Sequence, residues 1–262
     1  MKDKVKILKS NSAYRVADLI HYKDPNWKIW TNQILHDPQY EDTILRDYFN
    51  KKRKDPDIQT LKDIIWEHID RKNYPTASDS ELVVHVRLGD RLDEKTLIYN
   101  ENSIYKRSLE FYDTFLENIP QEIEISKVTV VTALHFGDFK FINKFHHTQV
   151  AEDRSFEVLD LIKQRVEEKE LEFGIVSNDD VDRDLAYMAS SKYFIQSFSE
   201  MSFLASQCLR EDAVIIPAKI IRNEWEGPCE SIGNVLKGNG TAKDYQEAMR
   251  KITPREWRKS TA

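Results

Sequence analysis

The stretch at residues 81–94, ELVVHVRLGDRLDE, decides the fold. Leu82, Val83, Val84 and Val86 make the apolar, β-branched run expected of a strand buried on both faces of a parallel sheet. His85 and Arg87 break that run two residues apart, so on a strand they point to one face. Gly89 then permits a sharp turn or a close approach of the backbone to a ligand, and Asp90 and Arg91 follow at once. A buried strand that delivers charge at its C-terminal end is the layout of a ligand site in an open α/β sheet.

The rest of the chain extends this pattern. With LVVHV from that stretch, strands are predicted at KVTVVTA, LEFGIVS, KYFIQS and AVIIPA. Helices are predicted between them at residues 101–119, 155–170, 181–191 and 199–211. Strands alternating with amphipathic helices predict an α/β fold with a Rossmann-like parallel sheet over residues 81–218. Right-handed crossovers gather the strand C-termini on one edge, and the loops there read RLGDR, ALHFGD, SNDD and QSFSEMS. Residues 1–80 read as a helical N-terminal region on the expected acceptor side, with helices at 12–22, 40–52 and 58–72. Residues 219–262 read as a loop and a helix that packs back on the fold. None of the seven glycines precedes Gly89, so the N-terminal third holds no glycine-rich phosphate loop.

Composition narrows the function classes. The 262 residues are 40% hydrophobic and 32% charged, as in a globular domain with a sizeable core. A net charge of -6 opposes general nucleic-acid binding. Two cysteines, Cys208 and Cys229, give neither a zinc spacing nor a disulfide framework. No apolar run reaches membrane-spanning length, and the first residues carry no signal-peptide pattern. A cytoplasmic enzyme is the expectation.

One serine cluster can carry chemistry. In YFIQSFSEMSFLASQCL a strand runs into Ser197, Phe198 and Ser199, and a helix opens near Glu200. Ser197 or Ser199 suits an N-cap. The same helix end, with its unsatisfied N–H groups, also suits an anion. Arg87 from the neighbouring strand end would add a planar fork that bonds phosphate in two places.

The two stretches together resemble a known family. HVRLGD has the H-x-R-x-G-D form of fucosyltransferases that use GDP-fucose, both the α1,2 group and the α1,6 and protein O-fucosyltransferase groups. RDLAYMASSKYFIQSFSEM is similar to their later motif, and FGIVSNDD resembles the strand and acidic turn of the α1,2 group. The resemblance covers about residues 81–216. It implies a GT-B-type glycosyltransferase that works without metal and needs no cofactor beyond its donor substrate. It assigns Arg87 to the donor diphosphate, Asp184 to guanine, and Phe198 and Ser199 to phosphate. His85 falls near the nucleoside or sugar, and Asp90 orients Arg87 or its loop. With Gly89, Arg91, Ser197 and Met201 these residues make up the expected donor-binding set. The chain departs from the pattern in having Leu88 where the α1,6 group has a second arginine, a place Arg91 can fill. The missing early glycine turn and the short length imply a reduced N-terminal domain.

Transfer would require stabilising the departing diphosphate and removing a proton from the acceptor glycan. Arg87 meets the first need. For the second the base stays open among Asp90, Glu200, His135 and Asp138. The triplet Asn178, Asp179, Asp180 reads as a helix start, and His146–His147 as a surface pair. Other readings are a transferase with a different donor such as UDP-xylose, a non-catalytic nucleotide-sugar-binding module, and a hydrolase built on the His/Asp cluster.

Overall fold

Among the residues it describes, the computed structural model is organised by eight short strands, all paired in parallel. It describes residues 1–8, 34–51, 57–89, 92, 124–135, 149–197 and 200–216. The main sheet comprises β2 (Glu81–His85), β4 (Lys127–Val131), β6 (Glu172–Val176), β7 (Tyr193–Ile195) and β8 (Val214–Ile216). Its spatial order is β6-β4-β2-β7-β8. The sheet grows outward from β2 through β4 to β6, then returns to the other side of β2 for β7 and β8. This is the doubly wound order, and its switch point lies between β2 and β7. A second, three-stranded sheet, β1-β5-β3, is made by β1 (Ile7–Leu8), β5 (Leu134–His135) and β3 (Leu88–Gly89).

The apolar run at residues 81–86 forms the centre of the sheet because both its faces are covered. Leu82 and Val84 pack with Val128, Val130 and Ile195 under α3 (Gln149–Glu168), which contributes Phe156, Val158, Leu159 and Ile162. Val83, Val131 and Phe194 face the other way. There they meet α1 (Ile44–Lys51), α2 (Ile58–Lys72), α4 (Val181–Ser190) and α5 (Glu200–Cys208). Ile44, Tyr48, Leu61 and Ile65 thus share one core with Leu185, Met188 and Leu204. Truncating such a fully buried side chain to alanine costs about 2–5 kcal/mol.

Local signals account for the helix ends. Asp57 caps α2 by accepting from the backbone N–H of Gln59 (3.1 Å) and Thr60 (3.4 Å). Asn73 ends it in the left-handed conformation, φ 51°. Asp180 caps α4, accepting from Asp182 N at 3.0 Å.

Four elements differ from the sequence reading, and two of them are the short strands β3 and β5, which form within the expected loops RLGDR and ALHFGD. Helix α3 begins at Gln149, six residues before the predicted start at Ser155. Ser155 resembles a cap in the sequence, yet its hydroxyl donates to Ala151 O at 2.6 Å inside the helix. Strand β1 was not predicted, since two residues are too few for alternation to register. The predicted helices at 12–22, 101–119 and 243–252, and the whole of 219–262, lie outside the described residues. Among the described residues no helix is long and apolar enough to cross a membrane.

The N-terminal end of the sheet is closed by a buried polar cluster. Glu81 accepts from Tyr187 Oη (2.6 Å), from Ser78 N (3.1 Å) and from the Thr129 hydroxyl. Lys127 Nζ lies 3.5 Å from it. Gly174 on β6 makes room for this cluster: a Cβ there would stand 2.8 Å from both Lys127 Cε and Thr129 Oγ1.

Candidate functional site

The switch point sets the C-terminal end of β2 beside the exit of β7, and each delivers a polar side chain to it. His85 Nδ1 and Ser197 Oγ are 2.6 Å apart, bridging residues 112 positions distant in the chain. Both are buried. Burial, reinforced by the Arg87 charge, pushes the imidazole pKa down to about 3. His85 is therefore neutral near pH 7, and the tautomer decides which partner donates. The backbone N–H of Ser197 donates to Ser202 Oγ at 2.8 Å, which ties the exit of β7 to α5.

Arg87 stands two residues beyond the end of β2. It is half-buried, and its Nη1 donates to Leu88 O at 3.1 Å. The chain then forms β3 and turns at Gly89, whose φ of 82° lies in the left-handed region. A side chain there would cost about 1–2 kcal/mol. The Gly89 N–H donates to Ser155 Oγ on α3 at 3.1 Å, and Arg154 Nη1 donates to Leu92 O at 3.3 Å. Helix α3 thus contacts the motif loop on either side of Asp90 and Arg91. Those two residues, like Phe198 and Ser199, lie outside the described set.

Asp184 sits in the first turn of α4 and is 9% exposed. Burial pushes its carboxyl up to about 7, against the opposing hydrogen bond from Asn178 Nδ2 at 2.7 Å. It titrates in the neutral range, where a buried carboxylate suits a ligand that brings its own donors. The turn before it is held by other parts of the chain. Ser177 Oγ accepts from Lys6 N (2.9 Å), Asp180 from Tyr74 Oη (3.2 Å) and Asp182 from Ile44 N (2.8 Å).

The remaining candidates are spread more widely. His135 ends β5 and pairs in register with Gly89 and Leu8, so its backbone flanks the motif loop. Glu200 opens α5. Met201 is half-buried against the core shared by α1, α2 and α4. Asp138 and the pair His146–His147 lie outside the described residues. Among the described residues no group of three or more His, Cys, Asp or Glu side chains is arranged to hold a metal.

No family model, curated protein or solved structure matches the chain.

Two contributors were missed in the sequence. Ser155 was read as a helix start, although a serine at a position facing the core of an amphipathic helix is the available signal for a buried hydroxyl contact. Ser202 gives no comparable signal, because its partner is a backbone N–H set by the path of β7.

Proposed function

We propose that the chain is a glycosyltransferase that moves a sugar from a nucleotide-sugar donor, GDP-fucose first among them, to a glycan acceptor. The proposed architecture is a reduced GT-B type. The observation that carries this reading is the 2.6 Å contact between His85 and Ser197. It joins the two stretches that resemble the fucosyltransferase motifs, and it joins them at the switch point of a doubly wound sheet. Arg87 and Gly89 follow directly on one side, and α5 opens on the other.

In this reading the donor diphosphate lies between Arg87 and the start of α5. The guanidinium and the helix N–H groups stabilise charge that grows as the sugar departs. Asp184 accepts from the paired N–H donors of guanine. Neutral His85 acts as a bridge between β2 and β7, since a group with a pKa near 3 is a weak proton acceptor at pH 7. The base that activates the acceptor is sought among Asp90, His135, Asp138 and Glu200.

The test is calorimetry with GDP and UDP, followed by donor turnover. Tighter binding of GDP, with sugar transferred to an acceptor, is expected. Equal or reversed affinity would move the donor toward a UDP-sugar such as UDP-xylose. GDP binding without turnover would leave a non-catalytic nucleotide-sugar-binding module.

A hydrolase is the second reading, because Ser197 and His85 stand at the distance of a nucleophile and its base. The depressed imidazole pKa opposes it. Covalent labelling of Ser197 by a serine-directed phosphonate, together with sugar release in the absence of an acceptor, would favour it.

A further inference from the structure

Helix α3 holds the motif loop through two consecutive residues, and the sequence motifs assign neither of them a role. Ser155 is fully buried. Its hydroxyl donates to Ala151 O at 2.6 Å and accepts from Gly89 N at 3.1 Å, so its proton and a lone pair are both engaged. Gly89 is the residue whose backbone takes the left-handed turn, φ 82°, directly after Leu88. Arg154 reaches Leu92 O three residues later, at 3.3 Å. The segment between these anchors contains Asp90 and Arg91, and the segment just before them contains Arg87. A helix packed on the sheet through Val158, Leu159 and Ile162 is a rigid reference for such a loop.

We infer that Ser155, assisted by Arg154, is a positioning residue that fixes the turn at Gly89 and thereby the approach of Arg87 to a ligand diphosphate. The inference rests on the proposed nucleotide-sugar reading and adds to it a determinant outside both motifs. Ser155 touches no ligand in this scheme. It acts through the Gly89 N–H, which loses its acceptor when the hydroxyl is removed. The turn then relaxes, and the phosphate side of the crevice loses its geometry. The guanine side, built by Asn178 on the loop before α4 and by Asp184 in the first turn of α4, is held by separate contacts to Lys6, Tyr74 and Ile44.

Calorimetry of GDP and guanosine against wild type, Ser155→Ala and Arg154→Ala tests this, with melting temperatures recorded alongside. Ser155→Ala is expected to weaken GDP by about tenfold or more while leaving guanosine affinity unchanged. Arg154→Ala is expected to do the same to a smaller degree. A purely structural role would weaken both ligands together or neither, and either result overturns the inference. Should Ser155→Ala fail to fold, Arg154→Ala decides: unchanged GDP affinity overturns the inference, and selective loss of GDP over guanosine supports it. Absence of GDP binding by the wild-type chain would overturn the nucleotide reading and this inference with it. Wild-type binding retained in full by both variants would overturn the inference alone.

Discussion

Replacing Asp184 with asparagine is expected to make the protein more stable at pH 8 and, under the proposed guanine contact, to weaken GDP binding. The unfolded chain ionises Asp184 near 3.8, whereas the folded chain keeps the proton until about 7. Between those values the unfolded state gains from ionisation and the folded state does not. Stability from this group therefore falls as pH rises from about 4 to 7 and then levels off. A displacement from 3.8 to about 7 amounts to roughly 4 kcal/mol at its full extent, as an upper bound. Asparagine carries no titrating proton and keeps an oxygen to accept from Asn178. Its amide N–H groups need partners in a buried site, which offsets part of the gain. A net stabilisation of about 1–3 kcal/mol at pH 8, shrinking toward zero near pH 4, is the expected result. Urea unfolding of both proteins at pH 4.5, 6 and 8 measures it. A difference that does not change with pH would refute the reasoning, because it would mean that Asp184 ionises alike in both states. On the ligand side, the amide offers guanine one acceptor in place of two, and GDP should weaken by about tenfold or more.

His85→Gln is expected to do the opposite to the pH profile. The folded pKa near 3 lies below the ordinary 6.5, so His85 contributes stability above pH 6.5 that is lost as pH falls toward 3. The variant should lose that acid sensitivity in the same urea series, and an unchanged acid limb would refute it. Arg87→Ala should melt within a few degrees of wild type and lose about a hundredfold or more in donor turnover, with partial recovery in Arg87→Lys. A stable variant with near-normal turnover would defeat the diphosphate role. Glu81→Gln should destabilise by about 1–3 kcal/mol at pH 7, because the donors converging on Glu81 lose a charged acceptor. The loss should shrink in acid, once pH falls through the wild-type carboxylate's own pKa, which its donors hold below the ordinary value. A melting temperature unchanged at pH 7 would show the cluster to be dispensable.

The main sheet was legible in the sequence because burial on both faces leaves a mark that few other structures leave. LVVHV, KVTVV and KYFI are apolar runs too short for helices, and each lies where a strand is found. The amphipathic stretch at 58–72 was legible through its spacing, and that at 181–191 through its spacing and the aspartates that start it. Strand order was not, since no local pattern tells β4 from β7 as the neighbour of β2. The polar residues of the candidate site were partly legible for the same reason. His85 and Ser197 stand out as polar residues at strand ends, but their contact depends on strand order, which brings together residues 112 positions apart. Ser155 escaped because hydroxyls at helix starts and hydroxyls inside helices look alike until the helix length is known.

Two buried carboxylates stand at opposite ends of the sheet. Glu81 and Asp184 are almost equally hidden, at 3% and 9% exposure, so desolvation pushes both pKa values upward. Glu81 nevertheless ends below the ordinary range, because donors from Thr129, Tyr187 and Ser78 and the charge of Lys127 together outweigh burial. Asp184 ends near 7, because the bonds from Asn178 do not outweigh it. Burial raises both, with Asp184 set the more deeply among protein atoms, and the supply of donors widens the difference. At the N-terminal end of the sheet the chain provides those donors and the carboxylate stabilises the fold. At the C-terminal end it provides fewer, and the carboxylate costs stability at neutral pH. A residue that weakens the fold where it stands is explained when a bound molecule completes its hydrogen bonds. The paired N–H groups of guanine are donors of the required kind. GDP affinity should accordingly fall by up to about tenfold for each pH unit below 7, as the carboxyl takes up the proton that a bound base would displace. Affinity measured by calorimetry from pH 5 to 8 in wild type, and flat over that range in Asp184→Asn, would carry the point; a flat profile in the wild type would refute it.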